Sequence, residues 1–96
     1  MDMLVTYDVS TETKTGRRRL SRVALVCKKY GQRVQYSVFE VRVNEGQLEQ
    51  MRAELLKNIN KDEDSLRLYR LHGSRENCVE SHGIDRYVDF TGPMVV

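Results

Sequence analysis

Cysteine and histidine are scarce in this chain of 96 residues, which has two of each. Cys27 and Cys78 stand far apart and in no metal-ligand spacing. That excludes a disulfide framework and a thiolate zinc site, and both read as reduced thiols of a cytoplasmic protein. His72 and His82 also lack ligand spacing; they fit surface or loop positions, with His82 a remote candidate for proton transfer. No apolar run reaches the length of a membrane span. The opening Met1-Asp2-Met3-Leu4 has no basic n-region, so no signal peptide is expected. A glycine-rich phosphate loop, an internal repeat and a low-complexity segment are missing too.

What is present is charge, at 31% of residues, beside 40% hydrophobic residues, the balance of a soluble globular domain. The length favours one small domain over residues 1–96, whose modest core would gain from self-association. The net charge of +2 hides an asymmetry: residues 1–43 carry +5 and residues 44–96 carry −3. A basic first half suits a localised patch for an anionic partner.

Residues 3–9 form a near-continuous apolar run that predicts a buried strand ending at Asp8. Ser10 to Gly16 reads as a polar turn. Leu20, Val23, Ala24, Cys27 and Tyr30 fall on one face of a helix predicted over 17–30, with Gly31 as its C-terminal cap. Arg17, Arg18 and Arg19 oppose the dipole at the start of that helix, a mismatch that an anionic ligand explains better than helix stability does. Residues 33–43 predict a long strand whose alternation changes phase: Val34, Tyr36 and Val38 share one face, Phe39, Val41 and Val43 the other. A bulge near Ser37, or burial of both faces by a partner, accounts for the switch. Asn44 and Gln47 fit a capping box for a second helix with the stripe Leu48, Met51, Leu55, Leu56 and Ile59. A charged loop over 60–65, a strand over 66–72, a loop over 73–83 and a last strand over 84–90 complete the chain.

This order predicts an α+β ferredoxin-like βαββαβ sandwich with an extra C-terminal strand. Its open sheet face needs cover, and a second copy is the simplest one, with 84–96 pairing or packing at the dimer interface.

Taken in order, several stretches are recognisable. They are Tyr7-Asp8-Val9, the helix start Arg17 to Arg22, Gly31-Gln32-Arg33-Val34-Gln35, Ser37-Val38-Phe39-Glu40, Asp64 to Leu71, and Asp89-Phe90 through Pro93-Met94. Over nearly its whole length the chain resembles the second CRISPR-associated (Cas) protein family, most closely its subtype I-C branch. The resemblance implies a homodimer in which Asp8 of both subunits meets and binds a divalent metal, usually magnesium, with manganese as a substitute. It implies metal-dependent cleavage of RNA or double-stranded DNA, binding to the CRISPR integrase (the first Cas protein), and holding of spacer DNA during integration.

Residue by residue, a lone strand-end Asp8 is a thin magnesium site, because that ion prefers octahedral oxygen; a symmetric dimer doubles the carboxylate. Tyr7 points to the opposite face and packs in the core. Lys14, Arg17, Arg18, Arg19, Arg22 and Arg33 form the candidate phosphate-binding set. Ser37 either bonds a phosphate or satisfies a bulge, and Phe39 reads as core or dimer interface before base-stacking platform. If a dimer neutralised roughly six phosphates, log K would fall with log salt at a slope of about −5. Two functions of different class follow: a magnesium-dependent endonuclease with Asp8 as catalytic metal ligand, or a non-catalytic DNA scaffold bridging integrase dimers.

Overall fold

The computed structural model describes residues 1–88. Four strands form one antiparallel sheet: β1 (Asp2–Asp8), β2 (Gly31–Gln35), β3 (Val38–Arg42) and β4 (Ser65–Arg70), in the order β2-β3-β1-β4. Helices α1 (Lys14–Tyr30) and α2 (Glu45–Lys57) follow β1 and β3, and a single turn of helix, α3 (Arg75–Cys78), follows β4. This is the ferredoxin-like topology. Both long helices pack on one sheet face, because the odd positions of β1 (Met3, Val5, Tyr7) and Phe39 and Val41 of β3 are buried against Val23, Cys27, Leu48, Met51 and Leu55.

The helix boundaries follow from capping. Thr13 caps α1 by accepting from the Gly16 N–H, so the helix begins at Lys14, three residues before the expected start. Gly16 therefore lies inside the first turn and not in a loop. It is buried there because a Cβ would overlap the Ser10 carbonyl oxygen. Gly31 is also needed for close approach, since a Cβ would strike the backbone of Glu40; its backbone is extended, and it opens β2 instead of forming a left-handed cap. The Asn44–Gln47 capping box is present in both directions. Leu56, expected in the α2 stripe, is 42% exposed, while Leu48, Met51 and Leu55 carry the burial.

The expected long strand is a hairpin, β2 and β3, turning at Tyr36 and Ser37. Arg33 pairs with Phe39 and Gln35 with Val38, so Val34 is the extra residue of a bulge. That bulge sits three residues earlier than expected, and Tyr36, in the turn and 91% exposed, shares no strand face with Val34 and Val38.

The other sheet face carries Asp2, Leu4, Thr6, Glu40, Arg42, Arg67 and Tyr69, which pair with one another across the ladders. The chain's own C-terminal part lies over the Asp2 end of this face. Arg75 donates from Nε to Glu40 at 2.7 Å and from its backbone N–H to Asp2 at 2.9 Å, and its guanidinium lies 3.5 Å from the Tyr87 ring centroid. Of the predicted last strand, residues 84–88 make no ladder with the sheet; the Gln32 side-chain amide donates to the Val88 carbonyl and accepts from its N–H. The rest of that strand and the tail to Val96 lie outside the described residues. Among the described residues no helix is long and apolar enough to cross a membrane.

Candidate nucleic-acid interface

Asp8 is the last residue of β1, pairs with Ser65 of β4, and is exposed although the strand behind it is buried. Among the described residues no hydrogen bond or ion pair engages its carboxylate. Two residues on, the Ser10 carbonyl rests against Gly16 in the first turn of α1. This contact holds the N-terminal end of α1, and with it the basic side chains, beside the end of β1. Lys14, Arg17, Arg18 and Arg22 are exposed and, with Ser21, line a shallow open concavity of about 430 Å³. Arg17 bonds the Thr11 carbonyl at 3.2 Å, and no acidic residue occupies the first turn. The result is a ridge of cations at the Asp8 end of the molecule.

Arg19 stands apart from that ridge. Its Nε donates to Asp64 at 2.8 Å and its other nitrogen to Glu63 at 2.9 Å, and its side chain is 15% exposed. A guanidinium so engaged must leave its partners before it can meet a phosphate.

The same Asp64 side chain, fully buried, accepts the backbone N–H of Ser10 at 3.1 Å and of Asn60 at 2.8 Å. Burial alone would raise the Asp64 pKa, but the Arg19 bond and the Asn60 and Ser10 N–H groups outweigh it and hold the carboxyl below its ordinary value. Asp64 thus ties the loop after Asp8 to the loop before β4. A run of charges over 60–65 disguises it in the sequence, where such runs read as solvated; the only local hint is the Asp/Asn spacing that suits bonding to its own backbone.

Arg33 is exposed, with its guanidinium 5.2 Å from the Phe39 ring centroid. Phe39 is fully buried and stacks against Tyr7 at 6.2 Å, so it serves the core. Tyr7 is buried as expected; burial raises its pKa against the opposing Arg33, and the phenol donates to the Tyr36 carbonyl at 3.4 Å. Ser37 contributes its backbone, accepting the Tyr7 N–H at 3.1 Å. Cys27 and Cys78 are free; burial pushes the Cys27 thiol up to about 12, far from a reactive thiolate. His82 pairs with Glu80 at 2.7 Å on the exposed C-terminal part, and His72 accepts at its carbonyl from Cys78.

Among the described residues no group of three or more His, Cys, Asp or Glu side chains converges on a metal position. Within one chain Asp8 belongs to no such group. That fits magnesium only in its sparsest protein setting, where one or two carboxylates share the ion with water and substrate phosphate.

The sheet order, the helices on one face and the basic ridge beside the end of the central strand define a small ferredoxin-like α+β protein with a cation-rich end. The family described as CRISPR associated protein Cas2 matches residues 1–79, and the chain belongs to that family. It is 50% identical over its full length, and that of its relative, to CRISPR-associated endoribonuclease Cas2 1 of Moorella thermoacetica. It is 43% identical to CRISPR-associated endonuclease Cas2 of Halalkalibacterium halodurans, over 99% of both chains. Among solved structures, Streptococcus pyogenes Cas2 superposes with a TM-score of 0.78 at 46% identity, covering 86% of this chain and all of that one.

Proposed function

We propose that the chain is a metal-dependent endonuclease of CRISPR spacer adaptation, cutting RNA or double-stranded DNA as a homodimer. The observation that carries this reading is the exposed, unengaged carboxylate of Asp8 at the end of a buried central strand, beside a ridge of four exposed cations. The endoribonuclease and endonuclease names of its full-length relatives support it. The Asp89 to Met94 stretch supports the subtype I-C assignment within the family.

The dimer is supported by the part of the open sheet face that no described residue of the C-terminal segment covers. Leu4, Thr6 and Val38 are half-buried there, and Tyr69 is 43% exposed, in the rows that lead to Asp8. A two-fold partner on this strip would bring a second Asp8 towards the first, which supplies the missing oxygen donors. Asp8 would hold magnesium or manganese, and such an ion polarises a phosphate and acidifies a bound water. Lys14, Arg17, Arg18 and Arg22 bind the phosphate backbone without reading sequence. Their charge also opposes the negative charge that grows on a phosphate under attack.

The test is cleavage of RNA, single-stranded DNA and duplex DNA by wild type and Asp8→Asn, with and without magnesium or manganese. Loss of cleavage in the variant, with the fold and dimer intact by circular dichroism and sedimentation, is the expected result. Full activity in the variant or in chelator refutes the catalytic role.

That Asp8 belongs to no group of metal-ligating side chains among the described residues favours a second reading, a DNA scaffold that bridges dimers of the CRISPR integrase. On this reading Arg17, Arg18 and Arg22 are needed for spacer acquisition and Asp8 is not. Acquisition assays on Asp8→Asn beside a variant lacking those arginines separate the two.

A further inference from the structure

Tyr36 is 91% exposed, at the tip of the β2–β3 hairpin. Tyrosine rings normally bury most of their apolar surface, so a ring standing in water is an anomaly to be explained. The backbone that carries it is not loose. The Tyr36 carbonyl accepts from the Tyr7 hydroxyl, and the neighbouring Ser37 carbonyl accepts the Tyr7 N–H at 3.1 Å. Tyr7 immediately precedes Asp8, so the ring stands at the same end of the sheet as that carboxylate. Around it, Arg33, Gln35 and Arg86 line a concavity of about 100 Å³ that contains no acidic side chain.

A solvent-exposed ring on a hydrogen-bonded turn, sharing a concavity with two arginines, has the composition of a stacking platform for a nucleobase, with cations within reach of the flanking phosphates. We infer that Tyr36 stacks on the base of an unpaired nucleotide, with Arg33 and Arg86 holding its phosphates. The inference rests on the nucleic-acid reading above and sharpens it: the preferred ligand has a single-stranded or frayed segment at the Asp8 end. Inside a closed duplex each base face is already stacked on its neighbours, so the ring gains nothing from interior base pairs. The ridge of α1 and the ring of Tyr36 thus divide the work, one tracking backbone charge and the other selecting unpaired bases.

The probes are a short single-stranded oligonucleotide carrying 2-aminopurine and the corresponding blunt duplex, bound in chelator so that cleavage does not intervene. Proteins are wild type, Tyr36→Phe, Tyr36→Leu and Arg18→Ala. Wild type and Tyr36→Phe should bind the single strand alike and quench 2-aminopurine. Tyr36→Leu should weaken single-strand binding about tenfold, lose the quenching and leave duplex affinity unchanged. Arg18→Ala should weaken both ligands equally. If Tyr36→Leu binds the single strand as wild type does, or loses both ligands in parallel, the stacking role is wrong while the ridge reading stands. If Tyr36→Leu changes only self-association in sedimentation, the ring is a protein contact and the inference fails. If wild type binds neither probe, this inference and the nucleic-acid reading fall together.

Discussion

The Asp64 carboxylate, 2.8 Å from the Arg19 Nε, also receives the backbone N–H of Ser10, so one buried side chain joins α1, the loop after Asp8 and the loop before β4. Asp64→Ala leaves the Arg19 Nε and two backbone N–H groups without their acceptor, with only Glu63 still on the guanidinium, and should cost roughly 3 kcal/mol in urea unfolding. The pH dependence has a definite sign. The folded pKa lies below the ordinary 3.8, so this contribution is complete above that value and is lost as pH falls through the lower, folded value. Wild type and Asp64→Asn should therefore differ at neutral pH and converge in strong acid. A constant gap down through that range would contradict the linkage.

Arg18 and Arg22 are free of acidic partners among the described residues, whereas Arg19 is held by two. Arg18→Ala and Arg22→Ala should each weaken duplex binding at low salt and reduce the log K against log salt slope by about 0.9 for each phosphate left without its cation. Neither should move the urea midpoint. Arg19→Ala should lower the midpoint through the stranded Asp64. Salt titrations followed by fluorescence anisotropy, paired with urea melts, test the division; equal slopes in all three variants would erase it.

Arg75 joins Glu40, which is 7% exposed, and lies under Tyr87. Arg75→Ala strands a nearly buried carboxylate on β3 and should cost about 3 kcal/mol. It should also release residues 84–88 from the sheet face, visible as faster amide exchange at Val88, whose N–H bonds the Gln32 side chain. Glu40→Gln with Arg75→Gln should recover part of the loss, since the pair is then neutral on both sides. No recovery would assign the cost to packing of the Arg75 stem.

Gly16→Ala tests the junction of β1 with α1 without touching a charge. Its backbone is helical, so alanine is conformationally acceptable, but the new methyl meets the Ser10 carbonyl. The chain must shift there, at a cost of about 1–3 kcal/mol. Nucleic-acid binding should fall as well, because that shift moves the ridge relative to Asp8. A stabilised variant, the usual outcome of Gly→Ala in a helix, would show that the junction is soft.

Much of the fold was legible because the core obeys simple periods. Met3, Val5 and Tyr7 alternate, and Leu48, Met51 and Leu55 follow a helical stripe, so the elements they form were readable. Asp8 was readable as the polar end of an apolar strand. The hairpin was not, because Tyr36-Ser37 has none of the Gly or Asn chemistry that marks a two-residue turn, and the described non-glycine residues have no positive φ. The bulge at Val34 absorbs the twist instead, and the phase change across the hairpin resembles that of one bent strand. Arg19 looked equal to its neighbours for a different reason. Its partner Asp64 is forty-five positions away, and no local pattern reports a pairing made only when two loops close.

The placement of Asp8 and Tyr36 has a consequence for how an encounter would proceed. Both are anchored to β1, which is hydrogen-bonded along both edges, by β3 and β4. Their positional freedom is lost when the chain folds and not when a ligand arrives. If Tyr36 stacks a base, the ordering penalty of that contact falls on the polymer, which would have to present a frayed segment to the ring. Association would accordingly be paced by the breathing of the nucleic-acid ends, and a sequence that opens easily would be captured faster without any base being read.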